Sequence, residues 1–145
     1  MSVISICTTM AASPGTVWAG IEDLSTHTEW MADAEDIRFT SNQHRGVGTS
    51  FTCRTRVGPL AVRDELEVTE WEPGAVMGIE HRGAVTGIGR FTLRPAFEGG
   101  TRFCWREELR FPWWLGGEIG ARLAVPIFRR IWSANLQRLA ARLED

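Results

Sequence analysis

From residue 125 to the end of the chain, apolar side chains recur at Val125, Phe128, Trp132, Leu136, Leu139 and Leu143. Steps of three and four residues stack them on one face of a long helix. The preceding hundred residues follow a different rhythm, a period of two, which predicts strands. Residues 48–57 alternate Phe51, Cys53, Thr55 and Val57 against Thr52, Arg54 and Arg56. Residues 60–70 alternate Leu60, Val62, Asp64, Leu66 and Val68 against Arg63, Glu65, Glu67 and Thr69. Strands are also predicted at 2–10, 37–40, 76–82, 85–94 and 101–110. Gly58-Pro59, Trp71-Glu-Pro-Gly74, Gly83 and Glu98-Gly-Gly100 punctuate them as turns. Between the first two strands lie two short helices. Ser13 caps the first, with Pro14 at its opening position and Val17, Trp18, Ile21 and Leu24 at helical spacing. The second starts at Thr26, with Glu29 as a capping box, and carries Trp30 and Met31.

The consecutive strands joined by short glycine-bearing turns predict an antiparallel meander. Its polar parity gathers Arg54, Arg56, Arg63, Glu65, Glu67, Arg102, Arg106 and Glu108, which reads as a wet outer face with cross-strand ion pairs. Each such pair contributes at most about 1 kcal/mol. The apolar parity must then face the long helix. Pro126 removes a hydrogen bond inside that helix and predicts a bend or split near residues 122–126. Gly116, Gly117 and Gly120 weaken its front further. A loosely held front and a packed back suit a segment that moves or lines an opening; the plainer alternative is a tolerated kink.

The 145 residues correspond to one domain spanning 1–145, large enough to bury a core. With a net charge of −2, no strong field selects nucleic acid or anionic membrane. All 16 basic residues are arginine, which we read as codon bias. No stretch approaches the ~20 apolar residues of a membrane span, and residues 1–10 lack the positive start of a signal peptide. Cys7, Cys53 and Cys104 are odd in number and far apart, so we expect reduced, buried thiols in a cytoplasmic protein, not a disulfide framework.

Candidate chemistry is sparse. His27, His44 and His81 have no metal-ligand spacing, and neither a metal nor a cofactor is expected. His81 reads as a strand-end polar residue. No nucleophile motif is present, and Cys53 reads as a structural thiol. Gly46-Val-Gly48 and Gly87-Ile-Gly89 lack a phosphate-loop pattern and read as sites of sheet curvature. Two carboxylates stand out: Asp64 and Glu107 fall on the inward parity of their strands, where a charge is costly unless paired or hydrated. Either could hold a polar ligand group or act as an acid or base; alternatively, a bulge or an arginine partner relieves it. Asn135 is a third inward polar candidate. Trp18, Trp30, Trp105 and Trp132 read as core, whereas Trp113 and Trp114, beside Pro112 and a glycine pair, read as rim residues. At least one of that pair is expected to be exposed, as a lid contact, a lipid-surface anchor or a homodimer contact, with simple packing as the plainer alternative.

The order strand, two short helices, six strands and long helix resembles the helix-grip fold of the START/birch-pollen-allergen (SRPBCC) superfamily, and within it the bacterial polyketide cyclase/dehydrase and lipid-transport-like group. The residues that carry this are Ala12-Ser-Pro-Gly-Thr-Val-Trp-Ala19, the segment from Leu24 to Trp30, Glu70-Trp-Glu-Pro-Gly74, Gly89-Arg-Phe-Thr-Leu93, Gly99-Gly-Thr-Arg102 and the helix end from Leu139 to Glu144. The resemblance spans essentially the whole chain. It implies an α+β fold in which a curved seven-stranded antiparallel sheet grips the C-terminal helix around an apolar cavity. It licenses no particular chemistry. The leading expectation is a binder of a small hydrophobic molecule, lipid or polyketide-like, lined by Phe51, Cys53, Val62, Leu66, Phe91, Phe103, Trp105, Phe128, Ile131 and Trp132, with Asp64, Glu107 and Asn135 as polar points. The alternatives are a polyketide aromatase/cyclase using Asp64 or Glu107, and a protein-interaction module presenting Trp113, Trp114 and Leu115.

Overall fold

A computed structural model describes residues 1–144. Strand β1 (Ser2–Met10) leads through helix α1 (Pro14–Ile21) and a 3-10 turn (Leu24–Glu29) to β2 (Ala34–Phe39), β3 (Ser50–Val57), β4 (Leu60–Glu72), β5 (Val76–Arg82), β6 (Thr86–Pro95) and β7 (Thr101–Arg110); helix α2 (Gly117–Leu143) closes the chain. The seven strands form one antiparallel sheet in the order β1-β7-β6-β5-β4-β3-β2. Every pairing but β1 with β7 joins neighbours in sequence, as short turns require. The fold is the expected helix-grip α+β architecture.

Local chemistry explains the helical elements. The Ser13 hydroxyl accepts from the Thr16 N–H, and Pro14 opens α1. The following turn departs from expectation. It begins at Leu24, because the Asp23 carboxylate accepts from the Ser25 N–H and caps it there. Trp30 and Met31 lie just past its end. Gly116 adopts φ 89° at the start of α2, a left-handed conformation open to glycine at little cost. Helix α2 runs unbroken through Pro126, so of the expected bend or split the split does not occur.

The faces of the sheet separate cleanly. Along β7, Thr101, Phe103, Trp105, Glu107 and Leu109 are buried and their neighbours are not. The core joins Ile4, Ile6 and Met10 of β1 to Val17, Trp18 and Ile21 of α1, the inner sides of β3 to β7, and Trp132, Leu136 and Leu139 of α2. Trp18, Trp30, Trp105 and Trp132 are all core residues. Truncating a fully buried leucine such as Leu139 to alanine removes about 2–5 kcal/mol. The outer face carries the ion pairs the parity predicts, among them Arg54 and Arg56 with Glu35, Arg63 with Asp36, and Arg82 with Glu67.

The cysteines overturn their expectation. Pairing of β1 with β7 sets Cys7 opposite Cys104 on the outer face, and a disulfide joins them. Sequence distance concealed this because the first and last strands are neighbours only in the folded sheet. Cys53 alone is free among the described residues.

Helix α2 is unevenly held. Its back half buries Trp132, Asn135, Leu136 and Leu139, whereas its front half buries only Ala121. The front therefore spans the sheet without filling the space beneath it.

Candidate functional site: an apolar cavity with one polar cluster

That space is a cavity of about 510 Å3 between the inner face of the sheet and α2. Strands β3 and β4 contribute Phe51, Cys53, Val62, Asp64 and Leu66; β6 and β7 contribute Phe91, Trp105 and Glu107; α2 contributes Phe128 and Trp132. Trp105 and Trp132 stack with ring centres 4.5 Å apart, and Phe128 lies 5.2 Å from Trp132. The large side chains thus build one wall and leave the remaining volume open.

Three expected lining residues do not reach the cavity. Phe103 is fully buried in the core behind the wall. Ile131 packs against the core from the side of α2. The Asn135 side chain is occupied: its amide donates to Asp33 at 2.8 Å, and its carbonyl accepts from the Ala32 N–H at 3.0 Å and from Arg138. Trp132 Nε1 also donates to Asp33, at 3.1 Å. Asp33 therefore ties the approach to β2 to the back of α2, and Asn135 serves structure.

The two inward carboxylates lie inside with a third group, His81. Asp64 and Glu107 are 8% and 5% exposed. His81 Nε2–H donates to the Glu107 carboxylate, 2.9 Å from Oε2 and 3.2 Å from Oε1. This corrects the reading of His81 as a strand-end polar residue. It does sit near the end of β5, but its side chain faces inward, only 12% exposed.

The reason His81 and Glu107 can meet lies in the strand between them. Gly87 stands opposite His81, and Gly89 stands opposite Glu107. A methyl group at Gly89 would lie 2.1 Å from Glu107 Oε1. The missing side chain is thus the space the carboxylate occupies. Both pairings of β6 keep a regular register through Gly87 and Gly89, and the bulges fall at β2 and β4. The curvature reading of this motif gives way to one of room for the polar cluster.

Environment sets the charges. Burial opposes an imidazolium at His81, but the charge and hydrogen bond of Glu107, with Asp64 beyond, outweigh it and hold His81 above the usual histidine range. Burial pushes the Asp64 carboxyl up, against the Val85 N–H that donates to Oδ1 at 3.3 Å. His81 Nδ1 is buried without a partner. An orphaned ring nitrogen in a cavity wall is a place for a ligand's polar atom. Cys53 also borders the cavity, and burial pushes its thiol up to about 11, which makes it a poor nucleophile. His27, a lining residue missed from sequence, donates from Nε2 to the Ile21 carbonyl at 2.7 Å; burial pushes it down to about 4, so its ring is neutral.

The family model for polyketide cyclase / dehydrase and lipid transport matches residues 3–144. Solved structures of the same fold include a Thermus thermophilus protein, 18% identical with a TM-score of 0.79 over 98% of this chain and 97% of that one. The Zhui aromatase/cyclase of a Streptomyces species is 14% identical, with a TM-score of 0.75 over 99% and 93%. Ara h 8.0201 is 9% identical, with a TM-score of 0.68 over 98% and 97%. At these identities the likeness is one of fold. No curated protein matches the chain. Among the described residues, no helix is long and apolar enough to cross a membrane.

Proposed function

The chain belongs to the polyketide cyclase / dehydrase and lipid transport family, and from that premise we propose that it binds one small, largely apolar molecule between the sheet and α2, with the molecule's polar end against Asp64, His81 and Glu107. The observation that carries this reading is a cavity of about 510 Å3 whose apolar wall is broken by a compact polar cluster. The volume lies within the ~300–1,000 Å3 of small-molecule sites, which combine apolar walls with a few polar groups. Burying roughly 300 Å2 of ligand surface contributes about 7 kcal/mol before the costs of association. The polar cluster then selects orientation. A ligand hydroxyl or carbonyl oxygen at His81 Nδ1 would satisfy a ring nitrogen that otherwise has no partner.

Native mass spectrometry of protein purified from its own host, followed by denaturing extraction, tests the reading. A stoichiometric apolar molecule supports it. Failure of the purified protein to take up any of a panel of lipids and polycyclic aromatics by calorimetry refutes it.

One observation favours a second reading, acid–base catalysis on a bound carbonyl compound. A histidine held by a carboxylate, with its other nitrogen free inside a cavity, is arranged to move a proton. Asp64, pushed toward its protonated form, would be the complementary acid. Turnover of poly-β-ketone substrates that survives His81→Gln, Asp64→Asn and Glu107→Gln unchanged would exclude it.

A further inference from the structure

Three apolar residues both line the cavity and are about half or more exposed: Leu60 at 49%, Leu123 at 69% and Ile127 at 50%. They mark its mouth, between the β3–β4 turn and the front of α2. The apolar surface continues outward from there. Ile119, Leu123 and Ile127 follow at intervals of four along one exposed face of α2, with Ile119 at 73%. Trp113 and Trp114, just before the helix, are 87% and 54% exposed, so both of that pair face solvent. A contiguous run of exposed tryptophan, isoleucine and leucine needs a partner.

Charge identifies the partner. Residues 110–143 hold six arginines and a single carboxylate, Glu118, in a chain whose net charge is −2. Glu118 is occupied by the N-terminal amine. Arg122, Arg129 and Arg130 are exposed beside the apolar stripe; Arg122 lies within electrostatic reach of Glu118, and Arg129 and Arg130 form no salt bridge among the described residues. We propose that the front of α2, with Trp113 and Trp114, docks on an anionic lipid surface and presents the cavity mouth to it. Apolar side chains enter the headgroup region, tryptophan rings sit at the interface, and flanking arginines meet lipid phosphates. A second copy of the chain fits less well, since a twofold contact through this face would bring both copies of the Arg122, Arg129 and Arg130 cluster into one interface. A bilayer also differs from a protein cover in offering apolar molecules to the mouth in place of sealing it.

The test is flotation of the full chain with phosphatidylcholine vesicles, with and without phosphatidylglycerol, beside light scattering for solution mass. Binding is expected only to the anionic vesicles, and it weakens at ~1 M salt, where the Debye length falls to ~3 Å. Reversing all three charges (Arg122→Glu, Arg129→Glu, Arg130→Glu) lowers partitioning by about 100-fold or more, from a contribution of roughly fivefold per arginine. The pair Trp113→Ser and Trp114→Ser lowers it by about tenfold or more. These side chains are exposed, so circular dichroism of each variant should match the parent. No anionic-vesicle binding, binding indifferent to the charge reversal, or a dimer abolished by Trp113→Ser would each overturn the proposal. Uptake of an apolar probe without vesicles reads the cavity alone, so the two readings fail independently.

Discussion

Replacing Gly89 with alanine tests whether the cavity's polar cluster depends on an absent side chain. The added methyl would lie 2.1 Å from Glu107 Oε1 and 2.8 Å from its Cδ. Ordinary contact requires about 3.5 Å, so the carboxylate must withdraw by about 1.4 Å. Its bonds to His81, at 2.9 and 3.2 Å, then stretch past the ~3.5 Å at which a hydrogen bond fails. Losing a hydrogen bond to a charged group costs about 1.5–3 kcal/mol, and alanine returns about 0.4–1 kcal/mol by restricting the unfolded chain. The expected net loss is about 1–2 kcal/mol, a fall of roughly 2–8 °C in Tm for a domain of this size. His81 should also titrate lower, because Glu107 is what holds its pKa up. A histidine with a raised folded pKa stabilises the protein at and below its ordinary value of ~6.5, and that contribution is lost as pH rises through the folded pKa. The charge-dependent part of the Gly89→Ala penalty should therefore shrink in alkaline solution. Urea unfolding across pH, with an NMR titration of the imidazole, measures both effects. Gly15→Ala, in α1 with no atom within 4 Å of the new methyl, is the control and should be neutral or stabilising by up to about 1 kcal/mol. A Gly89→Ala protein as stable as its parent, with His81 titrating unchanged, would refute the argument.

Three further outcomes follow from the same geometry. Burial raises the Asp64 pKa, so its stabilising contribution exists below the ordinary carboxylate range and is lost as pH rises through the folded value; Asp64→Asn should be the more stable protein at neutral pH and lose that advantage at pH ~4 in urea titrations. Reducing the Cys7–Cys104 disulfide, which links positions 97 residues apart, should lower unfolding stability by about 2–4 kcal/mol, and indifference to reductant would count against the bond. Asp33→Ala strands the Trp132 and Asn135 donors and should cost about 2–4 kcal/mol by thermal melting, whereas Asp33→Asn keeps an acceptor and should cost less.

The strands and α2 were legible because each has one wet and one dry face. The alternation of Arg63, Glu65 and Glu67 against Val62, Leu66 and Val68 fixes β4 and its orientation without reference to any neighbour. Asp64 and Glu107 could be placed inside by the same parity. The 3-10 turn after α1 was less legible, because the Thr26–Glu29 spacing imitates a capping box whereas the Asp23 carboxylate caps the turn and starts it at Leu24. Pro126 shows the opposite limit. Its local cost is real, yet a helix long enough to bury Trp132, Leu136 and Leu139 behind it absorbs one missing bond and stays continuous.

What escaped the sequence was pairwise. Cys7 and Cys104 become partners only because β1 closes onto β7, a neighbourhood fixed by the order of the whole sheet. His81 has the wrong spacing for any motif, and its partner Glu107 lies two strands away across β6. The one local trace of that contact was negative. Gly87 and Gly89 fall two residues apart on the inward parity of a strand otherwise filled by Phe91 and Leu93. A strand gains nothing in stability from such glycines, since they weaken its backbone and bury no side chain. Their presence on an inner face is intelligible if neighbouring strands need the space, and here those neighbours supply the most polar contact in the cavity. An inward glycine pair flanked by strands with an inward histidine and an inward carboxylate is therefore a sequence signal for a buried polar site. It can be read only once strand order is known, which is why the fold had to come first and the site second.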